Sequence, residues 1–123
     1  MSTDIEVKVT TAYVEAQSDP HQERYVFAYY ITIANHGGAP CQLLNRHWII
    51  SDASGGVEEV RGEGVVGQQP RLEPGQAFEY TSGAILKTPV GAMHGEYEFV
   101  DDDGERFEVE IPPFSLSMPN LVH

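Results

Sequence analysis

The chain has little cysteine and little positive charge. Its 123 residues include one cysteine, Cys41, and 7 lysines and arginines against 19 aspartates and glutamates, which gives a formal net charge of −12. A lone cysteine cannot close an intramolecular disulfide or complete a zinc pattern, so we expect a small buried thiol. The negative charge repels nucleic-acid phosphates and anionic lipid surfaces. We therefore expect no nucleic-acid partner and no membrane insertion.

Long apolar runs are also missing. No segment approaches the roughly 18 consecutive apolar residues of a spanning helix, and the N-terminus lacks a basic region followed by an apolar one. We therefore expect a cytoplasmic protein. The length and the 41% hydrophobic content fit one folded domain over residues 1–123. We expect a folded core over about residues 5–114 and a partly mobile tail over residues 115–123.

Helical periodicity is the third absence, because no uninterrupted window shows apolar residues three and four positions apart. Apolar residues instead recur at every second position, which predicts strands. Trp48, the only tryptophan, fits a core position between two sheets. Turn residues between the strands favour an all-β sandwich of about seven to eight antiparallel strands, with little or no helix. The predicted strands cover about residues 5–14, 24–35, 41–50, 57–60, 76–82, 93–99 and 107–111.

Three of these strands carry specific expectations. The strand over residues 24–35 has apolar residues on both faces, so we expect it to be central and covered on much of both sides. The last two strands form a hairpin around the turn at residues 101–104, and Pro112 and Pro113 are expected to end the second of them. The segment over residues 83–89 is ambiguous from its pattern.

The most unusual stretch contains the glycines of a formal GxGxxG motif, Gly62, Gly64 and Gly67. In a dinucleotide-binding fold these glycines precede a helix whose amides hold a pyrophosphate. Here Pro70 and a second proline at position 74 follow the motif and disfavour a helix, so we predict a loop. An anion-binding nest with Arg61 and Arg71 as contacts remains open.

The same loop contains two adjacent valines. In an extended chain one would face away from whatever the other packs on, and an exposed apolar tip suits a partner surface. Both valines could also tuck under the loop, and the sequence leaves the two arrangements open. The predicted binding loop consists of Gly62, Glu63, Gly64, Val65, Val66, Gly67, Gln69 and Pro70.

Metal ligands and catalytic groups are sparse. His94 and Glu96 share one predicted strand face at positions i and i+2 and are weak metal candidates, although a solvated polar face explains them as well. We expect no cofactor and no enzymatic activity, because no catalytic constellation is present. If four glutamates share one face of the last hairpin, their repulsion would favour a basic partner or weakly bound divalent cations. They are Glu96, Glu98, Glu108 and Glu110.

Several short motifs together resemble the ApaG family over about residues 5–119. They are Asn45-Arg-His-Trp48, Glu59-Val-Arg-Gly-Glu-Gly-Val-Val-Gly67, Gln69-Pro70, Pro74-Gly75, Phe78-Glu-Tyr-Thr-Ser-Gly83, Gly91 with Met93, and Ile111-Pro112 with Phe114. The resemblance implies an immunoglobulin-like or fibronectin type III-like sandwich. It also implies an association with cobalt resistance and magnesium efflux, and a role as an interaction module. We therefore expect a non-enzymatic module that binds an unidentified protein partner. The alternative is a small-ligand effector that binds a divalent metal or a phosphorylated nucleotide.

Overall fold

The computed structural model describes residues 4–119. Antiparallel strands account for most of these residues, and the only helical turns among them are two short 3-10 turns, Glu15–Gln17 and Pro20–Gln22. The prediction of an all-β sandwich of about seven to eight strands is confirmed, and the described residues form eight. The strands are β1 (Ile5–Tyr13), β2 (Tyr25–Asn35), β3 (Cys41–Asp52), β4 (Val57–Glu63), β5 (Arg71–Leu72), β6 (Ala77–Leu86), β7 (Val90–Asp101) and β8 (Arg106–Ser117).

The strands form two antiparallel sheets. One sheet has the order β1-β2-β6, and the other has the order β4-β3-β7-β8 with the short β5 also paired to β3. Strand β2 is central in its sheet, as its sequence predicts. Its second face is less covered than expected, because Tyr30 points away from the other sheet and is 45% exposed. Only Val26 is buried among the side chains of that outward face.

The core lies between the inward faces of the two sheets. Trp48 in β3 is 2% exposed, and its ring centroid lies 5.5 Å from that of Tyr29 in the opposite sheet. Phe114 and Tyr97 pack edge-on against the same indole at 5.9 Å and 6.3 Å. The expectation that Trp48 joins the two sheets is therefore confirmed. Cys41 is a free and buried thiol, as expected, and burial raises its pKa.

The last strand is longer than predicted. Pro112 and Pro113 do not end β8, which continues to Ser117 and buries Leu116 completely. The pairing with β7 shifts between Met93 and Gly95, so two prolines lie where the partner strand contributes one residue. An edge strand with a bulge tolerates proline because no ladder hydrogen bond is required there. Residues 120–123 of the predicted tail lie outside the described residues.

Two further strands are also longer than their patterns indicate. Strand β6 continues past Ser82 to Leu86, because the ambiguous segment pairs with β2. Strand β4 continues past Val60 to Glu63, so Gly62 and Glu63 are paired residues and not loop residues. No helix over residues 4–119 is long and apolar enough to cross a membrane.

Candidate functional site

The glycine-rich segment forms a tight turn directly after β4. The amide of Val65 donates to the carbonyl of Gln68 at 2.8 Å, and the amide of Gln68 donates back at 2.9 Å. The two central residues, Val66 and Gly67, both have positive φ, at 43° and 81°. This is the pattern of a type I′ hairpin turn, which normally carries Asn-Gly. The predicted loop thus begins at Gly64, and its turn is Val65–Gln68.

The turn separates its two valines. Val65 is completely buried in the core, whereas Val66 is 53% exposed. Of the two arrangements left open by the sequence, the first is found: Val66 faces away from the core on which Val65 packs, and the valines are not both tucked under the loop. A β-branched residue at positive φ is a genuine outlier, and a strained conformation of this kind costs about 1–3 kcal/mol. Val66 is thus an exposed apolar side chain at a backbone position that suits asparagine or glycine better.

Arg46 in β3 fixes the turn to the sheet. Its Nη1 donates to the carbonyl of Glu63 at 3.0 Å and to the carbonyl of Gly64 at 2.9 Å. A Cβ atom on Gly62, the cross-strand partner of Arg46, would lie 2.8 Å from the guanidinium carbon. Gly62 thus leaves room for the guanidinium group, which an added Cβ would displace.

The other two glycines of the motif, Gly64 and Gly67, are explained by their backbone conformation, since both have positive φ. Gly64 has φ +65°, and a Cβ atom there would collide with the carbonyl oxygen of Gln68. The chain after the turn enters β5 and not a helix, so the amides that hold a pyrophosphate in dinucleotide-binding folds have no counterpart here. The spacing of the GxGxxG glycines is explained by the type I′ turn and by the guanidinium group of Arg46, which lies over Gly62.

The remaining predicted loop residues attach the turn to β3. Gln69 donates through Nε2 to the carbonyl of Leu44 at 3.0 Å, and the carbonyl of Pro70 accepts from the amide of Leu43 at 3.0 Å. Gln42 adds a bond from its Nε2 to the carbonyl of Gln69 at 3.0 Å. These contacts attach the residues after the turn to residues 42–44 of β3.

The two predicted anion contacts are paired with carboxylates. Arg71 holds Asp102 through two bonds of 2.7 Å and 3.0 Å and Glu73 through a third of 2.9 Å. These bonds raise the pKa of Arg71, and Arg71 lowers the pKa of Asp102. Arg61 donates to Glu59 at 2.9 Å. The guanidinium group on the turn is that of Arg46, which the motif did not indicate.

A groove of about 550 Å³ lies on the outward face of the larger sheet, beside the start of the turn. His47 lies in it between two carboxylates, with Nε2 at 2.5 Å from Glu59 and Nδ1 at 3.3 Å from Glu96. The contact with His47, and secondly the charge of Arg61, lower the pKa of Glu59. The groove is lined by Asn45, Arg46, His47, Arg61, Gly62, Glu63, Glu96, Glu98 and Glu108.

The glutamates of the last hairpin share one face, as predicted. Glu96 lies opposite Glu110, and Glu98 lies opposite Glu108. The weak metal candidate Glu96 contacts His47 and not His94, which lies next to Ile49 across the strand pair. Over residues 4–119, no group of three or more histidine, cysteine, aspartate or glutamate side chains is arranged to hold a metal ion.

A second, smaller cavity lies between the sheets behind the turn. It has a volume of about 170 Å³ and joins the turn to β6 through Tyr80 and Ser82. The hydroxyl groups of Tyr80 and Tyr97 form a hydrogen bond inside the core. Burial raises the pKa of both tyrosines well above the usual range. In the sequence, the only sign of this tyrosine pair is the alternation of apolar residues in β6 and β7. Strands of different sheets carry no sequence pattern that indicates which of their side chains meet.

Comparisons with known proteins indicate one family. The ApaG domain model matches residues 15–101. The chain is 55% identical to Protein ApaG of Aromatoleum aromaticum and 56% identical to that of Thiobacillus denitrificans, in each case over 97% of this chain and 94% of the relative. A crystal structure of the putative ApaA protein from Bordetella pertussis superposes with a TM-score of 0.93 at 55% identity, covering 96% of both chains.

Proposed function

Because the chain belongs to the ApaG domain family, we propose that it is a non-enzymatic module that binds a protein partner through the turn Val65–Gln68. The observation that carries this proposal is Val66, an apolar side chain exposed at 53% on a strained backbone. Strained residues cluster at functional sites, because the surrounding structure must hold them in place. An exposed valine in this position has no folding role that asparagine would not fill better.

The surroundings of Val66 suit recognition of a macromolecule. Val65 anchors the turn in the core, and Arg46 and Gln69 fasten its flanks to β3. A rigid apolar tip loses little conformational freedom when a partner covers it, which favours binding. The adjacent groove adds three of the four glutamates of the last hairpin, so the proposed binding surface combines one exposed apolar side chain with an acidic face.

The contacts of the arginines favour a protein over a phosphorylated nucleotide. Arg61 and Arg71 hold carboxylates, and Arg46 holds two carbonyl groups of the turn. An incoming phosphate would have to displace these bonds. The association with cobalt resistance and magnesium efflux that the family resemblance implies would act through the partner, and the proposed setting is the cytoplasm.

Affinity capture from the native lysate tests the proposal, with bound proteins identified by mass spectrometry. A double exchange of Val65 and Val66 is unsuitable, because Val65 belongs to the core. Val66→Asp places the charge on the exposed residue alone, and aspartate tolerates positive φ. Val57→Asp is the matched control, because Val57 is 68% exposed at the far end of β4.

We expect the wild type and V57D to enrich the same partner and V66D to lose it, with all three proteins folded by circular dichroism. If V66D enriches the partner as the wild type does, the turn is not the binding site. If the wild type enriches nothing over a control resin, the binding function itself is contradicted.

A further inference from the structure

Strand β6 has a free backbone edge. The amide of Asn35 donates to the carbonyl of Gln76 at 2.9 Å, while the amide of Val14 donates to the carbonyl of Val26 at 2.8 Å. Hydrogen-bonding direction alternates along an antiparallel strand, so odd-numbered residues of β2 bond β6 and even-numbered ones bond β1. In β6 the even-numbered residues bond β2. The backbone groups of five residues therefore point away from the sheet: Ala77, Glu79, Thr81, Gly83 and Ile85.

This edge is open over its whole length. All five residues are exposed, and within residues 4–119 their amides and carbonyls have no hydrogen-bonding partner outside the pairing with β2. Glu79 is the only charged residue among them. Natural edge strands are normally protected by charges, prolines or bulges, because a bare edge is a template for another strand.

The other edges are protected. The free edge of β4 is formed by Val57, Glu59, Arg61 and Glu63, so three of its four residues are charged. Strand β8 carries two prolines within a bulge, and β1 packs beside β8. Strand β6 carries one charge among its five outward residues and no proline or bulge, and among the described strands only β2 packs closely beside it.

The open edge lies next to the turn that carries Val66. Tyr80 and Ser82 of β6 line the cavity of about 170 Å³ together with Val66 and Gly67. Side chains of a strand added to β6 would alternate between the outward face and this cavity. We propose that β6 binds an extended segment of the protein partner as an additional β-strand, with one inward side chain of that segment against Val66.

The net charge of the chain indicates the chemistry of the partner segment that would pair with β6. The domain has a net charge of −12, and the only charge on the edge is Glu79. A second copy of the chain would bring an equal negative charge, so pairing of two β6 strands is disfavoured. We assign the edge to a peptide of alternating apolar and basic residues. Main-chain hydrogen bonds would supply affinity, and the cavity would supply specificity. This inference rests on the proposed function and adds its binding mode.

The test uses a displayed library of random peptides long enough to cover the ten residues of β6. The selected peptides are titrated against the full chain, and amide hydrogen exchange is measured by NMR. Thr81→Pro removes one outward amide without touching the pairing with β2, because an edge position tolerates proline. Thr81→Ala keeps the amide and serves as the side-chain control. Val57→Pro places a proline on the β4 edge as the backbone control.

We expect the selected peptides to be rich in lysine or arginine alternating with apolar residues. They should slow exchange of the five outward amides of β6 by about tenfold or more. T81P should weaken binding by more than about tenfold, because the proline ring also blocks the approaching strand, while T81A and V57P bind as the wild type does. Selection of no peptide, protection of other amides, or unchanged binding by T81P would each overturn strand addition. If T81P still captures the lysate partner and V66D does not, the proposed function stands without this binding mode.

Discussion

The guanidinium group of Arg46 lies across Gly62, its cross-strand partner, and reaches the carbonyl groups of Glu63 and Gly64. One glycine therefore makes room for the side chain that holds the next turn. This relationship explains the first glycine of the GxGxxG motif, which otherwise suggests phosphate binding. It also connects the outer groove, which Arg46 lines, to the turn that carries Val66.

Gly62→Ala should destabilise the fold by about 1–2 kcal/mol. The new Cβ would lie 2.8 Å from the guanidinium carbon of Arg46, so the side chain must move and give up its two bonds. A hydrogen bond from a charged donor contributes about 1.5–3 kcal/mol, and partial exposure reduces that value. Urea unfolding of G62A measures the loss.

Arg46→Met provides the control for this prediction. In the R46M background the added methyl group meets no guanidinium, so G62A should cost about 1 kcal/mol less there. Equal costs in the two backgrounds would show that Arg46 is not the reason for Gly62.

Gly64→Ala should cost more than Gly67→Ala, although both glycines have positive φ. At Gly67 nothing lies within 4 Å of a new Cβ, so only the backbone preference is lost, about 1 kcal/mol. At Gly64 the Cβ also collides with the backbone carbonyl of Gln68, which cannot rotate away. We expect a loss of about 3 kcal/mol or more for G64A. Similar midpoints of the two variants in thermal unfolding would contradict this geometry of the turn.

Glu59 should titrate below the usual range of a glutamate, chiefly because of its hydrogen bond to His47. Its lowered pKa means that its contribution to stability is present above about pH 4.3 and is lost as the pH falls through the lower folded-state value. His47→Ala should raise the pKa of Glu59, and Arg61→Gln should raise it less. NMR titration of the Glu59 carboxyl carbon checks this order, and no change in H47A would refute it.

Tyr29, Tyr80 and Tyr97 should resist ionisation, because burial raises the pKa of all three. For a raised pKa, the stabilising contribution is complete below the unfolded value of about 10 and is lost as the pH rises further. Tyrosinate absorbance should therefore increase in two stages, and the second should coincide with loss of the native circular dichroism. Tyr97→Phe should lower the pH of unfolding, because the buried hydroxyl of Tyr80 loses its partner. A single early transition would contradict the buried pair.

Much of the fold could be predicted from the sequence because alternation is a local signal. Trp48, the central β2 and the hairpin of β7 and β8 follow from patterns within each segment. The end of β8 did not follow, because Pro112 and Pro113 normally stop a strand. A bulge in the strand pair accommodates them, and it depends on pairing that the sequence does not display.

The site was only partly predictable for the same reason. The segment with Val65 and Val66 stood out by composition, but which valine is exposed depends on a two-residue turn. Arg46 was part of a motif of the family resemblance but was given no role, because its contacts depend on pairing with Gly62, sixteen positions later in the neighbouring strand. The bare edge of β6 also required the register of two strand pairs, which only the structure supplies.

Val66→Asn tests most directly whether the turn is strained for the sake of binding. Asparagine is favoured at positive φ and in Asn-Gly turns, so V66N should increase the free energy of unfolding by about 0.5–1 kcal/mol. The same variant lacks the apolar tip and should fail to capture the partner that the wild type enriches. A more stable protein that no longer binds is the predicted result. A V66N protein that binds as the wild type does would show that Val66 is not the contact, and the account of this turn would be wrong.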